Sequence, residues 1–231
     1  MKRDEEELLE LVERDPLFRD RRDAGDALAE RLAAYRGRDV LVLGIPRGGV
    51  VVAAQVARQL GADLDVVVAR KLGSPISAEL AIGAVTANGG RFLNEEVMRE
   101  LDVSEPYLTA VTAVQMTEAR EREARFRRGR GPLQVAGRTV ILVDDGLATG
   151  ATMRAAVRSV RQRAPARLVV AVPVGSREAC AALRGEADEV VCPHEPEFFG
   201  GVGSFYREFE PTQDEEVQRL VDEFAPAPRA G

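Results

Sequence analysis

The sequence predicts an α/β fold: one open, mainly parallel sheet flanked by helices, with a small C-terminal hood. Three observations carry the prediction. Apolar runs of strand length recur at Val40 to Gly44, Leu64 to Arg70, Thr139 to Val143, in RLVVAVP (167–173) and in DEVVCP (188–193). The runs are continuous rather than alternating, as strands covered on both faces are. Helix-patterned segments separate successive runs, so strand, helix and strand follow one another as right-handed parallel units.

Taken in order, AGDALAERLAA (24–34) sets Ala24, Leu28 and Leu32 on one stripe and predicts a packed helix ahead of the first strand. After VLVLG comes a helix from about Val50 to Leu60, then LDVVVAR (64–70) as the second strand. Gly73, Pro75, Gly83 and the Asn88-Gly89-Gly90 turn punctuate AIGAVTA and RFL, a β excursion ending in a hairpin. Residues 94–128 read as helical and end in AREREARFRRGRGP. The second parallel unit runs RTVILVD, a helix over 149–163, RLVVAVP, a helix near 177–183 and DEVVCP. The aromatic, glycine-containing FFGGVGSFYREF (198–209) is too flexible for a core strand and too apolar for a free loop. QDEEVQRLVDEF predicts a terminal helix, and APAPRAG a frayed end. A single domain over 1–231 is expected: a helical segment at 1–36, an α/β core at 37–193, and hood and tail at 194–231.

Composition excludes several classes. The chain is 45% hydrophobic and 30% charged, and no apolar run reaches the length of a membrane span. MKRDEEELLELVERDP (1–16) is charged and helix-like, without a signal core or cleavage site, so a cytoplasmic location is expected. A net charge of -6 disfavours a general nucleic-acid partner. Cys180, Cys192 and the lone His194 lack metal-ligand spacing and are expected to be ordinary packed or surface residues.

Two strand ends carry chemistry, because open α/β sheets bind ligands beyond the carboxyl ends of their strands. VLVLGIPRGGV ends in Pro46, Arg47, Gly48 and Gly49. VILVDDGLATGAT (140–152) ends in Asp144 and Asp145, followed by Gly146, Leu147, Ala148, Thr149, Gly150, Ala151 and Thr152. Small residues at a helix start let backbone N–H groups approach a phosphate, with the helix dipole in support. Thr149 and Thr152 add hydroxyls. Two carboxylates are pure acceptors suited to vicinal sugar hydroxyls, so one stretch fits both ends of a ribose phosphate. No Gly-Lys-Ser/Thr follows, which excludes a Walker loop.

This stretch resembles the ribose-phosphate signature of type I phosphoribosyltransferases, a hydrophobic strand, two acids and a small-residue loop with Thr-Gly. The resemblance covers about residues 40–195 and is densest at 140–152. It implies that the donor is 5-phosphoribosyl 1-pyrophosphate (PRPP) and that 144–152 bind its ribose 5-phosphate. Pro46, Arg47, Gly48 and Gly49, with Arg70 and Lys71, would bind its pyrophosphate. Catalysis would fall to Asp144, Asp145, Arg47 and Lys71. It also implies a cis peptide in the first turn, here Pro46-Arg47. Mg2+ would be held by the ligand and waters near Asp144 and Asp145, with no direct protein ligand. In family terms the segment from about 104 to 130 is a mobile loop bringing arginines to the leaving group; an arginine-rich solvated helix is the other reading.

The partners implied are PRPP and a small-molecule acceptor, and a homodimer is the common symmetric arrangement. Forms acting on 6-oxopurines carry an acid where this chain has Ala148; the loop is closer to the adenine and uracil types. Phe199, Phe205 and Tyr206 are the candidates to stack on an acceptor ring, against an alternative role as anchors of the C-terminus. Glu79, within SAELAIGAV, is a candidate to serve a base, a metal water or a helix cap. The chain also resembles a group of bacterial phosphoribosyltransferase-like proteins with an RDRRDAG-type helix and a Phe-Tyr tail. A PRPP-sensing regulator and a Rossmann-like dinucleotide domain are the competing classes; the first turn lacks G-x-G-x-x-G, which weighs against the latter.

Overall fold

The computed structural model describes residues 16–224; the helix-like stretch at 1–15 and APAPRAG at 225–231 lie outside it. Five parallel strands form the main sheet: β1 (Val40–Gly44), β2 (Asp63–Val66), β6 (Thr139–Val143), β7 (Arg167–Ala171) and β8 (Glu189–Val191), in the order β2-β1-β6-β7-β8. A second, antiparallel sheet holds β3 (Ala69–Gly73), β4 (Ala81–Thr86) and β5 (Arg91–Leu93), the expected β excursion.

Alternation along the strands explains why they are apolar throughout. Val40, Val42, Ile141, Val143 and Val169 enter one core, shared with helices α1 (Arg21–Arg31) and α2 (Gly48–Leu60). Leu41, Leu43, Val140, Leu142, Leu168 and Val170 enter the other, shared with α5 (Ala151–Arg161) and α6 (Arg177–Arg184). Both faces of the sheet are therefore dry. The stripe of Ala24, Leu28 and Leu32 is fully buried, as its spacing predicts. Asp20 starts α1 by accepting from the N–H groups of Arg22 and Asp23.

Two expectations are corrected. LDVVVAR is not one strand: β2 ends at Val66 and β3 begins at Ala69 in the other sheet. The N–H of Val68 donates to the Glu123 carboxylate (3.3 Å), and its carbonyl accepts from Ala87, so the chain leaves the main sheet there. The residues read as helical (94–128) fold as α3 (Glu95–Glu100) and α4 (Glu105–Arg127), and it is α4 that fills the segment from about 104 to 130 where the family resemblance implied a mobile loop. Asp102 (φ 47°) breaks them apart and Ser104 caps the second. Leu108, Ala119 and Phe126 seat α4 against the body of the protein.

The arginines of this segment mostly hold it down. Arg127 forks onto Asp65 at 2.9 and 3.0 Å, and Arg130 bonds the carbonyls of Leu64 and Val221. Arg128 pairs with Asp222 of the terminal helix α7 (Asp214–Glu223). Asp65 is only 8% exposed, and removing one partner of a buried pair leaves a charge without compensation. Asp65→Ala is expected to cost about 3 kcal/mol in urea unfolding. A loss below about 0.5 kcal/mol would show that the pair is solvated in effect.

Candidate active site

The two chemically marked strand ends emerge side by side. Gly44 and Val143 are partners in register, and the N–H of Ile45 donates to the Val143 carbonyl at 2.9 Å. From β1 the sheet grows toward β2 on one side and toward β6, β7 and β8 on the other. This reversal of strand order opens a crevice at the carboxyl ends, the usual ligand position in such sheets.

The two turns interlock through glycine. A Cβ on Gly49 would lie 2.6 Å from an Asp144 carboxylate oxygen, 2.7 Å from the Asp144 Cα and 3.0 Å from the Val143 carbonyl. A Cβ on Gly48 would overlap the Asp145 carboxylate and the Arg21 guanidinium. Glycine at these positions gives the acids of one strand end room against the backbone of the other. The peptide before them, Pro46-Arg47, is cis.

Asp145 is held from two directions. Arg21 of α1 donates to its carboxylate at 2.7 Å, with both side chains largely buried. The Tyr206 hydroxyl donates to the Asp145 carbonyl at 2.5 Å, and Arg21 stacks on the Phe209 ring at 3.8 Å. Among the described residues Asp144 has no ion-pair partner; its carboxylate accepts the Asp145 N–H at 2.9 Å. Burial, and then the neighbouring Asp145 charge, holds the Asp144 carboxyl well above the usual carboxylate range. Tyr206 is likewise pushed upward, chiefly by burial, and stays protonated to donate.

The loop after the acids is supported from below and open above. Leu147 is buried and bridges Gly175, while Ala148 and Thr149 are exposed. The Ser176 hydroxyl donates to the Ala148 carbonyl at 2.6 Å. Gly150, in the left-handed region (φ 75°), precedes α5 and supplies no side-chain cap. Helix α2, which follows the first turn, also starts without one. Asp20, Asn94, Ser104 and Ser176 do cap α1, α3, α4 and α6. Helix α7 also lacks a side-chain cap; beside the two strand-end turns, the free N–H groups of α2 and α5 are available to an anion or to water.

Thr152 shares a cleft of about 520 Å³ with Arg70, Lys71, Glu79, Tyr107 and Arg122. Arg70 is committed to α4, bonding Gln115 at 3.0 Å and pairing with Glu118, whereas Lys71 is exposed. Arg47 is exposed too, and its nearest acid is Asp214 at 3.8 Å. Asp214 also binds Arg122 at 2.7 Å and lies 3.6 Å from Arg125. One carboxylate thereby gathers three arginines around the first turn.

Of the hood residues, Tyr206 is an anchor: it is 4% exposed, packed between Phe18 and Phe209, and has no face free for a ring. Phe199 and Phe205 form a half-exposed pair, 5.3 Å between centroids. Val202 covers Gly146 so closely that a Cβ there would meet it at 2.5 Å. Sequence reasoning missed Arg21 and Asp214 as site residues. For Arg21 the available signal was the RDRRDAG segment itself; for Asp214 no motif existed.

Gly49→Ala is expected to destabilise the fold by about 2 to 3 kcal/mol, because two of its three nearest neighbours are backbone atoms that cannot swing away. Gly48→Ala acts differently, by pushing Asp145 off Arg21, and the broken buried pair should cost about 3 kcal/mol. Equal urea midpoints for Gly49→Ala and the parent would refute the interlock. Asp144 carries a pH signature as well. Its folded-state pKa lies above its unfolded value, so the parent is penalised at neutral pH and relieved as pH falls to about 4. Asp144→Asn should therefore raise Tm at pH 7, with a gain that shrinks on acidification; a lowered Tm at pH 7 would contradict the assignment.

A family model described as phosphoribosyl transferase domain matches residues 20–210. A protein of Mycobacterium tuberculosis, in strains CDC 1551 and H37Rv, is provisionally named a phosphoribosyl transferase. It is 48% identical over 206 residues, covering 89% of this chain and 46% of that protein. The chain thus spans about half the length of the curated relatives it matches. The crystal structure of TT1426 from Thermus thermophilus shares 47% identity and a TM-score of 0.76, covering 90% of this chain and 99% of that one. The family match runs from the Asp20 cap and Arg21, through both strand-end turns, to the Phe209 ring of the hood, and this chain belongs to the phosphoribosyl transferase domain family.

Proposed function

We propose that this protein is a phosphoribosyltransferase that uses PRPP with Mg2+ to transfer phosphoribose to a nitrogenous, nucleobase-like acceptor, releasing pyrophosphate. The observation that carries the reading is the pair Asp144 and Asp145 beside an uncapped helix start, packed against the glycines of a second such turn. In this reading the N–H groups of 148–152 and the hydroxyls of Thr149 and Thr152 hold the 5-phosphate. Asp144 and Asp145 accept the ribose hydroxyls. Arg47 and Lys71 neutralise pyrophosphate as it departs from C1 and the acceptor nitrogen attacks, and Arg70 joins them only on release from Glu118. Positioning and exclusion of water do the rest, since no Ser-His or Cys-His set is required.

Asp144 fits a nearby Mg2+: its carboxylate is crowded by Asp145 and lacks an ion-pair partner among the described residues. Bound Mg2+, held near Asp144 and Asp145 through the ligand and waters, would supply positive charge that stabilises the departing pyrophosphate. Arg21 keeps Asp145 aimed, and Tyr206 and Val202 close the site from the hood side. Phe199 and Phe205 are the acceptor-stacking candidates. Ala148, exposed in the loop, leaves no acid there to address a 6-oxopurine.

One observation favours a second reading, a PRPP sensor without catalysis. Asp145 and Arg47 already have protein partners in Arg21 and Asp214, so ligand entry would rearrange contacts between the turns and helices α1 and α7. Calorimetry with Mg-PRPP is the first test. The Asp144→Asn/Asp145→Asn variant should bind at least about tenfold more weakly than the parent, as expected for lost charged hydrogen bonds. Equal affinities would exclude both readings. Pyrophosphate release with any member of a base panel selects the transferase; tight binding without release selects the sensor.

A further inference from the structure

Cys180 and Cys192 are twelve residues apart, and their spacing matches no metal motif, yet the fold brings them together. Cys180 lies on α6 and is fully buried; Cys192 follows β8 directly. Their sulfurs and a carboxylate oxygen of Glu195 all lie within 4.8 Å of one another. The thiols are not joined to each other. For a tetrahedral ion with metal–sulfur bonds near 2.3 Å, donor atoms stand roughly 3.5 to 3.8 Å apart, so small side-chain rotations suffice to close the set.

The surroundings suit such an ion. Two thiolates and a carboxylate bring three negative charges; a divalent ion offsets two, and Arg184, paired with Glu195, offsets the third. Cys192 donates to the His194 carbonyl at 3.3 Å, a weak contact that a metal bond would replace. Soft sulfur donors select Zn2+ over the hard, oxygen-seeking Mg2+.

The cluster lies beneath the loop proposed to hold phosphate. A Cβ on Gly175 would meet the Cys180 sulfur at 2.8 Å, the Cys192 sulfur at 3.3 Å and the Leu147 Cβ at 3.1 Å. Gly175 bridges Leu147, Ser176 bonds the Ala148 carbonyl, and Ala179 supports Gly150. One small-residue layer thus separates the sulfurs from residues 147–150.

We propose that Cys180, Cys192 and Glu195 form a binding site for a thiophilic divalent cation of the Zn2+ class, with its fourth position open to water, which fixes the floor of the 146–150 loop. Binding exchanges the two thiol protons for the ion and releases them to solvent.

The test uses the full chain, reduced and metal-free, titrated with Co2+ alone and then with Zn2+. The expected result is one Co2+ per chain, with thiolate charge-transfer absorption and tetrahedral d–d bands that Zn2+ displaces. Cys192→Ser should abolish the charge-transfer band. Glu195→Gln should weaken Co2+ at least about tenfold, since even indirect supports of metal ligands cost that much. Both positions are only half-buried, and far-UV circular dichroism checks that the variants fold. An octahedral aquo spectrum, a charge-transfer band that survives Cys192→Ser, or a Cys180–Cys192 disulfide with no metal uptake after reduction would overturn the proposal. None of these readouts involves PRPP, so the result is independent of the donor assignment.

Discussion

Gly48 and Gly49 have no side chains, and the carboxylates of Asp145 and Asp144 occupy the space this leaves. The contact joins two turns almost a hundred residues apart in sequence, and it requires β1 and β6 to be adjacent and in register. Much of the rest follows from it. The acids stand at the point where strand order reverses, close to two helix starts without side-chain caps. Like charges this close, both half-buried, are costly without a cation. Arg21 compensates Asp145, and Asp144 keeps a demand that a ligand or ion can meet.

Helices α1 and α7 enter the site because of these charges. Arg21 crosses from α1 to Asp145 and uses the Phe209 ring as its support. Asp214, in the first turn of α7, gathers Arg47, Arg122 and Arg125. The segments before and after the α/β core therefore belong to the site's electrostatics. This also explains why Tyr206 is buried: its hydroxyl anchors the Asp145 backbone while its ring fills the gap between Phe18 and Phe209.

The fold was legible where burial on two faces forces continuous apolar runs, as in VLVLG, TVILV and RLVVA. It was not legible at Val67 and Val68, where the run continues but a carboxylate from α4 takes a backbone donor and ends the strand. The paired acids and the small-residue loop were readable because phosphate and sugar recognition demands particular residue types in a fixed order. Asp214 and the Cys180–Cys192 contact were not, because each arises from where helices and strands pack rather than from spacing along the chain, and Arg21 was marked only by its RDRRDAG segment. The arginines of 120–130 mark the opposite case: the family resemblance implied charge for the leaving group, while Arg127, Arg128 and Arg130 are occupied in tying α4 to β2 and α7.

If the two interlocked turns receive the two ends of one ribose phosphate donor, a crystal structure with Mg-PRPP will show both ends in place. The ribose hydroxyls should lie within hydrogen-bond reach of the Asp144 and Asp145 carboxylates, with the 5-phosphate on the N–H groups of 148–152. Density for PRPP elsewhere, with both carboxylates still turned onto Gly48, Gly49 and Arg21, would contradict it.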